Sequence, residues 1–584
     1  MANLENLGEV ISTDMLVVGG SIGGLCTALQ AKEESPDIDI LVVDKQTVGW
    51  AGAAPRGGMV IWCLSPKDDS VDDLMKYHVN TIGHYLNDQE LLRDYATNAL
   101  HTIEKIAEWG VAMPRDAKGN IELTKVYQPP AFLPEHWSYV CVDSNMMVSL
   151  RNTARKKGVK ILNKIQVVDL LTKDGRIVGA VGFNIIDGKF YIFKAKATVL
   201  ANGLCGPRDG LFAASTGEGI AAAYRAGAEM RNAEFGSMVG FMAREGYTSA
   251  GVYYVISFTY DAMSYDRLTN AKGETLSERY NKKMPGPDFL LDIEKEINAG
   301  RGPIYINVEE SMRKTQKQIL KTKEDWPRKK FTSLENRHVA KVLKYARNPV
   351  PRAEGELFAS PGMCSPVKVD HNMKTTLEGL WAIGDTSYNG SAMSGAVVSP
   401  NGGMCGSGLG NAIFSAIKGA PSAAKYAAEA KASAVSYTQV KQLKEKIFAP
   451  IGRNKGITAT EAIAEFRSAL TPVQYYLHKN KASIETLMSR LQEFKQKLSK
   501  LTANDYHNLC KCHEIESMTL GPELNFTAGL VRTESRGMHQ REDYPKRDDK
   551  NWLKWISIKD QDGKMVLSTE PIPMDTYKFK PEGF

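Results

Sequence analysis

Three features predict an α/β fold, organised as a discontinuous Rossmann-like nucleotide-binding domain with an inserted α+β capping domain and a C-terminal helical domain. The N-terminus reads as strand, glycine turn, helix, strand and carboxylate, in that order. Two later strands each run into a glycine loop, and the apolar spacing becomes helical after about Ala420. The first unit begins with Asp14–Val18, an apolar run of the kind shown by a parallel strand buried on both faces. It breaks at Gly19-Gly20-Ser21-Ile22-Gly23-Gly24, Leu25–Glu33 continues at helical spacing, and a second apolar run, Ile38–Val43, ends on Asp44, 25 positions beyond Gly19. A turn of this form aims backbone N–H groups and a helix N-terminus at a pyrophosphate, while the carboxylate after the second strand accepts a hydrogen bond from an adenosine ribose. In G-x-G-x-x-G register the three positions are Gly19, Ser21 and Gly24, so a serine stands where the middle glycine is usual.

Further along, Ala195–Leu200 is a strand entering the loop Ala201-Asn202-Gly203-Leu204-Cys205-Gly206, and Thr216-Gly217-Glu218-Gly219 opens a helix. Gly379–Ile383 is another strand, ending in Gly384-Asp385, the arrangement by which flavoproteins place a carboxylate on a ribityl chain. Elements spread this widely suit FAD better than NAD, which one βαβ pair and its neighbour hold. Between them, Phe241–Leu357 turns to tyrosine-rich, charged and irregular sequence, as expected of a unit that closes over the flavin. The expected organisation is therefore residues 1–240 and 358–425 as two parts of the FAD-binding domain, 241–357 as the capping domain, 426–515 as a helical domain and 516–584 as a C-terminal region. Ile484, Leu487, Met488, Leu491, Phe494, Leu498 and Leu501 form the clearest apolar helical stripe.

Composition bounds the function. With 584 residues, 43% of them hydrophobic and 24% charged, disorder and mini-protein scaffolds are excluded. The longest apolar runs fall far short of the ~20 residues of a membrane helix, so no membrane span is expected. Met1–Asp14 lacks the basic-then-apolar layout of a signal peptide, which gives a cytoplasmic expectation. A net charge of +7 is modest for this length; such a surface can dock an acidic protein or ligand but is more often solvated decoration, and the expected partner is a small-molecule substrate, not nucleic acid. The eight cysteines contain no C-x-x-C pair, so no iron–sulfur or zinc site of this chain's own is expected. The Cys510-Lys511-Cys512-His513 cluster sits in a helical pattern, where i and i+2 face different sides.

The string Arg532-Thr-Glu-Ser-Arg-Gly-Met-His-Gln-Arg-Glu-Asp-Tyr-Pro545, together with the flavin-type loops in this order, resembles the flavoprotein subunit of the fumarate reductase and succinate dehydrogenase superfamily, which includes L-aspartate oxidase and the adenylylsulfate reductase alpha subunit. Glu296–Asn307 looks most like the adenylylsulfate reductase branch. The resemblance covers essentially the whole chain and implies an FAD-dependent oxidoreductase. It adds Lys45, Gly52, Ala53, Arg56, Gly57, Gly58, Val168, Ala201, Asn202, Gly203 and Glu218 to the cofactor contacts expected at Gly19–Gly24, Asp44, Gly384 and Asp385. It also implies that Arg536, His539 and Arg541 tie the C-terminal region to the flavin domain.

In Gly49–Gly58, which matches the family loop beneath the isoalloxazine, Ala51 stands where succinate dehydrogenases carry the histidine that bonds FAD, so noncovalent FAD is expected. The dicarboxylate set is absent on this alignment: Val239 and Pro361 replace two histidines, and Pro287 and Pro400 replace two arginines. Fumarate and succinate are therefore poor candidates. Arg56, Tyr254, Tyr260 and Tyr388 are the catalytic candidates, and an iron–sulfur subunit is the expected electron-transfer partner. An oxygen-using flavin oxidase, a ketosteroid-dehydrogenase-like enzyme and a non-catalytic flavin electron-transfer subunit stay open as alternatives.

Overall fold

The computed structural model describes residues 3–56, 60–125, 138–143, 145–208, 215–243, 265–283, 288–307, 353–397 and 407–584. It has the mixed α/β architecture that the sequence predicts, with helices grouped toward the C-terminus.

The N-terminal unit forms β1 (Glu9–Val18), α1 (Ile22–Glu34) and β2 (Ile40–Asp44). Met15–Val18 of β1 and Ile40–Val43 of β2 are almost wholly buried. Each such side chain contributes ~1.5–3 kcal/mol on leaving water. Four more strands, β3 (Lys160–Asn163), β4 (Ile165–Lys173), β5 (Arg176–Asn184) and β6 (Phe190–Leu200), extend the sheet in the spatial order β3-β2-β1-β6-β5-β4. β1 is parallel to both neighbours, with Val17 opposite Val42 and Val199. β4 and β5 form an antiparallel hairpin on the β6 edge.

After β6 come α2 (Glu218–Arg225), β7 (Met238–Ala243), β8 (Leu268–Thr269), α3 (Phe289–Glu296), β9 (Ile304–Ile306) and β10 (Ala353–Ser360). Strands β7, β10, β9 and β8 make a separate antiparallel sheet in that order. Its own small core joins Phe241, Tyr265, Leu268, Phe289, Ile293, Ile304 and Ile306. The chain then returns to the large sheet through β11 (Leu380–Ala382), which pairs parallel to β6. Next, α4 (Ser407–Glu429) lies against α1.

The C-terminal part contains α5 (Lys481–Leu498), α6 (Tyr506–Met518) and α7 (Leu520–Val531), followed by the hairpin β12 (Lys554–Gln561) and β13 (Lys564–Pro571). The stripe on α5 buries Ile484, Leu487, Leu491 and Phe494 as its spacing predicts. It does not continue to Leu501: the helix ends at Leu498, and Leu501 pairs instead with Ile457 in a short parallel bridge. On α6, Cys510 Sγ faces Glu514 while Cys512 Sγ faces the Thr502 carbonyl. Among the described residues no helix is long and apolar enough to cross a membrane.

The string that begins at Arg532 clasps the C-terminal region to the rest. Arg532 Nε donates to Glu234 Oε1 (2.8 Å) and Nη1 to Glu534 Oε1 (2.9 Å), with all three side chains fully buried. Arg536 grips the same Glu534 through Nε (2.7 Å) and Nη2 (2.8 Å), and its Nη1 donates to the His84 carbonyl (2.7 Å). The hydrogen bonds of His539 and Arg541, expected to reach the flavin domain, stay within the C-terminal part: His539 Nε2 lies 3.1 Å from the Arg532 carbonyl, and Arg541 Nη1 donates to the Gly529 carbonyl (3.0 Å).

A second tie reaches the inserted unit. His478 Nε2 lies 2.7 Å from Glu294 Oε2 on α3, and Nδ1 lies 2.7 Å from Glu542 Oε1. A carboxylate at each ring nitrogen requires both to donate, which selects the imidazolium. The hydrogen bond to Glu542, then that to Glu294, raises the His478 pKa. A raised folded-state value stabilises below the unfolded value of ~6.5 and loses that effect as pH rises through the folded value. The expected result is that His478→Gln lowers the thermal midpoint most at about pH 5.5 and little at about pH 9, by a modest amount because the pair is partly exposed. A difference that stays constant across this range contradicts the assignment.

Candidate functional site

The glycine turn after β1 is fixed by close backbone approach. Gly19 has φ +113°, and a Cβ there would stand 2.2 Å from the Ala201 carbonyl oxygen. A Cβ on Gly24 would stand 1.8 Å from the Gly19 carbonyl oxygen, so both outer positions of the motif admit only glycine. Ser21, at the middle position, caps α1 with φ −82° and ψ −166°. That extended conformation suits any residue, which explains why serine is tolerated. Ile22 and Gly23 form the first turn of α1, and their backbone opens toward the position where a pyrophosphate is bound in such folds.

Asp44 holds the turn from below. Its Oδ2 accepts from Gly20 N–H (2.6 Å) and its Oδ1 from Gln46 N–H (2.6 Å), while burial raises its pKa. The sequence places this carboxylate at a ribose; the structure adds that it shapes the loop itself. Lys45 joins a buried network. Its Nζ donates to Glu218 Oε1 (2.5 Å), Glu514 Oε1 (2.8 Å) and Thr216 Oγ1 (3.0 Å). Burial acts to lower the Lys45 pKa, but Glu218 and Glu514 outweigh it and hold the ammonium charged. Glu514 also pairs with Arg208. Lys45 and Glu218, expected at the cofactor, are thus engaged with one another. The Val168 carbonyl is taken by Arg225 Nη2 (2.7 Å).

Three loops meet beside the turn. Ala201 N–H donates to the Val18 carbonyl (2.7 Å), Thr386 Oγ1 donates to the Gly203 carbonyl (3.2 Å), and Gly384 N–H donates to Ser415 Oγ on α4 (2.8 Å). Around them Asn202 Oδ1, Asp385 Oδ1 and Asn411 Nδ2 are buried without a hydrogen-bond partner. Leaving one such group unsatisfied costs ~1–3 kcal/mol. A cluster of them beside a phosphate-type turn fits a polyhydroxylated ligand that supplies the missing partners, as the ribityl and ribose parts of FAD do. Asn411 and Ser415 were not candidates in the sequence; the Gly408-Leu409-Gly410-Asn411 run that opens α4 is the signal that points to them.

Burial alone pushes Asp385 up to about 7. A hydroxyl that donates to its carboxylate favours the ionised form, so ligand binding is full above that value and weakens below it. FAD affinity is expected to fall by up to about tenfold per pH unit below ~7, and this dependence is lost in Asp385→Asn. Flavin-fluorescence titration at a series of pH values checks both; equal slopes in the two proteins contradict the role.

Gly52 and Ala53 lie in the loop beside the turn, where a Cβ on Gly52 would stand 2.7 Å from Ser21 Oγ. Ala51 is buried and offers no nucleophile. Arg56 closes the turn Ala54–Arg56. Gly57, Gly58, Tyr254 and Tyr260 lie outside the described residues, as do Pro287 and Pro400. Tyr388 is buried, and desolvation with the nearby Asp385 charge raises its pKa, so it is a protonated phenol at neutral pH. Asn389 Nδ2 donates to the Val397 carbonyl (2.6 Å). The register of β7 and β10 puts Val239 opposite Ala359, two residues before the buried Pro361. The structure therefore brings Val239 and Pro361 to one end of one sheet.

Residues 14–404 match the FAD binding domain family, and residues 473–583 match the fumarate reductase flavoprotein C-terminal family. The fumarate reductase flavoprotein subunit of Haemophilus influenzae is 22% identical over 97% of this chain and 95% of its own length. Among solved structures, an adenosine-5-phosphosulfate reductase in complex with sulfite superposes with a TM-score of 0.75 at 21% identity, covering 98% of this chain and 97% of the other. Mycobacterium smegmatis Sdh1 in complex with UQ1 gives 0.74 at 20% identity, covering 97% and 94%.

Proposed function

Because this chain belongs to the FAD binding domain family and is an FAD-dependent oxidoreductase, we propose that its substrate is a small molecule other than fumarate or succinate and that it exchanges electrons with a separate iron–sulfur polypeptide. The observation that carries this reading is the contrast within one site. The cofactor side keeps its close-packed glycines and its unpartnered Asn202, Asp385 and Asn411. The substrate side has Val239 and Pro361 where the dicarboxylate enzymes it resembles use histidines.

FAD, when bound, supplies hydride transfer at its N5. The chain's own residues orient and exclude. The amides at the α1 N-terminus would hold the pyrophosphate, Asp44 the adenosine end, and Asn202, Asp385 and Asn411 the polyol. Ala51 provides no covalent attachment. Tyr388, kept neutral by its surroundings, is a hydrogen-bond donor toward the flavin or substrate, and Arg56, Tyr254 and Tyr260 are the remaining catalytic candidates. A dicarboxylate needs fixed guanidinium and imidazole donors, and the aligned positions supply none. Relatives named as flavoprotein subunits support a separate electron partner.

The test is anaerobic mixing of FAD-loaded protein with candidate substrates, followed by oxygen. Bleaching by a non-dicarboxylate, slow recovery in oxygen and co-purification of an iron–sulfur polypeptide support the reading. Rapid recovery in oxygen marks an oxidase and overturns the partner; bleaching by succinate overturns the substrate assignment.

A further inference from the structure

Cys205 follows the Ala201–Gly203 loop, and Cys364 lies just beyond β10. The two face each other in an isolated antiparallel bridge. Cys205 N–H donates to the Cys364 carbonyl (2.8 Å), and Cys364 N–H donates to the Cys205 carbonyl (3.0 Å). Residues that exchange both bonds in this way have Cα atoms ~5.5 Å apart and side chains on the same face. That separation lies inside the roughly 4.4–6.8 Å spanned by a cystine. The register puts both thiols on one face of the bridge, where the neighbouring Cys205 raises the Cys364 pKa, while Cys205 Sγ also reaches the Ser517 carbonyl (3.8 Å).

Both cysteines are buried at 1% exposure, and backbone crowds around them. A Cβ on Gly217 would stand 2.6 Å from Cys205 Sγ, one on Gly521 2.8 Å from the same sulfur, and one on Gly236 2.7 Å from Cys364 Cβ. Three glycines at these contacts leave the sulfurs little freedom to turn apart. Cys510 and Cys512, two positions apart on α6, face different groups, Glu514 and the Thr502 carbonyl.

The bridge has a position that gives it consequence. Cys205 extends the loop whose Gly203 carbonyl takes Thr386, next to Asp385. Cys364 precedes Ser365, whose carbonyl accepts from both Asn389 and Gly390 N–H. The contact therefore joins the two parts of the nucleotide-binding domain across the inserted unit.

We propose that Cys205 and Cys364 are a dithiol–disulfide couple that staples these two parts together. The oxidant class is a low-molecular-weight disulfide. One cysteine sulfur attacks it and displaces the first small thiol. The second cysteine then attacks the mixed disulfide, forming the Cys205–Cys364 bond and releasing the second small thiol. Two electrons and two protons pass from the protein to the two small thiols. The hydrogen bond to Cys205 and burial both hold the Cys364 thiol protonated, so exchange in the folded protein is slow and proceeds through opening or during folding.

FAD-loaded protein is incubated in oxidised glutathione, and a second portion is refolded from denaturant in the same buffer so that access does not limit the reaction. Both are quenched in acid, alkylated without reductant, digested and analysed by mass spectrometry. The expected result is a Cys205–Cys364 linked peptide in the refolded portion at least, lost on reduction and absent in Cys364→Ser. The oxidised protein is also expected to unfold at a higher temperature than the reduced protein, with no such difference in Cys364→Ser. Alkylation of all eight cysteines in both portions, or linkage of either residue to a different cysteine, overturns the couple. A linked peptide without a shift in unfolding temperature overturns the staple.

Discussion

FAD-loaded protein is expected to leave both fumarate and succinate unturned. On the alignment that the resemblance gives, Val239, Pro361, Pro287 and Pro400 stand at the family's two histidine and two arginine positions. Each absent charge-assisted hydrogen bond forfeits ~1.5–3 kcal/mol. Loss of a positioned proton donor removes a further ~10²–10⁴-fold in rate. Of the two described positions, Val239 pairs with Ala359 of β10, and Pro361 is buried at the end of the same sheet. Oxidation of reduced viologen by fumarate and dye reduction by succinate measure the two directions. Turnover near ~1 per second, the low end of ordinary enzyme rates, means that other residues build a dicarboxylate site.

The largest expected stability effect is at Arg532. Arg532→Met removes a fully buried guanidinium that serves Glu234, Glu534 and the carbonyls of Trp552 and Lys554. Glu534 keeps Arg536, but Glu234 is left as a buried carboxylate without its cation. Breaking a buried pair from one side costs ~3–5 kcal/mol, whereas removing both charges together costs much less. Arg532→Met is therefore expected to lower stability by about that amount in urea unfolding, with Glu234→Gln/Arg532→Met recovering part of the loss. A loss below ~1 kcal/mol, the range of an exposed pair, contradicts a clasping role. Glu234 sits four residues before β7, so the same contact ties the C-terminal string close to the start of the inserted sheet.

What was legible in the sequence follows from the range of the interactions. The strand, turn and helix at Met15–Glu34 declare themselves because each is set by neighbours a few residues away. Gly19 and Gly24 are readable for the same reason, although the atoms that exclude a side chain are the Ala201 and Gly19 carbonyls. Gly384-Asp385 was found by its strand, and its partner Ser415 was not, because Ser415 looks like any residue of an amphipathic helix until α4 is laid against the loop. The contact of Lys45 with Glu514 joins residues 469 apart, and no periodicity reports it. The α5 stripe was over-extended to Leu501 because a buried leucine fits a helix face and a two-residue bridge equally well. Substrate choice stayed illegible for a different reason. The unit proposed to close over the flavin is one whose tyrosines and charges carry no fixed spacing.

The central claim is that the cradle formed by Gly19–Gly24, Ala201–Gly203 and Gly384-Asp385 holds FAD by contacts alone, with Ala51 offering no bond. Acid precipitation of the FAD-loaded protein, with flavin quantified in supernatant and pellet, tests it most directly. The account predicts about one FAD per chain, all of it in the supernatant. Flavin that stays with the precipitated chain, or a chain that retains no FAD before precipitation, contradicts it.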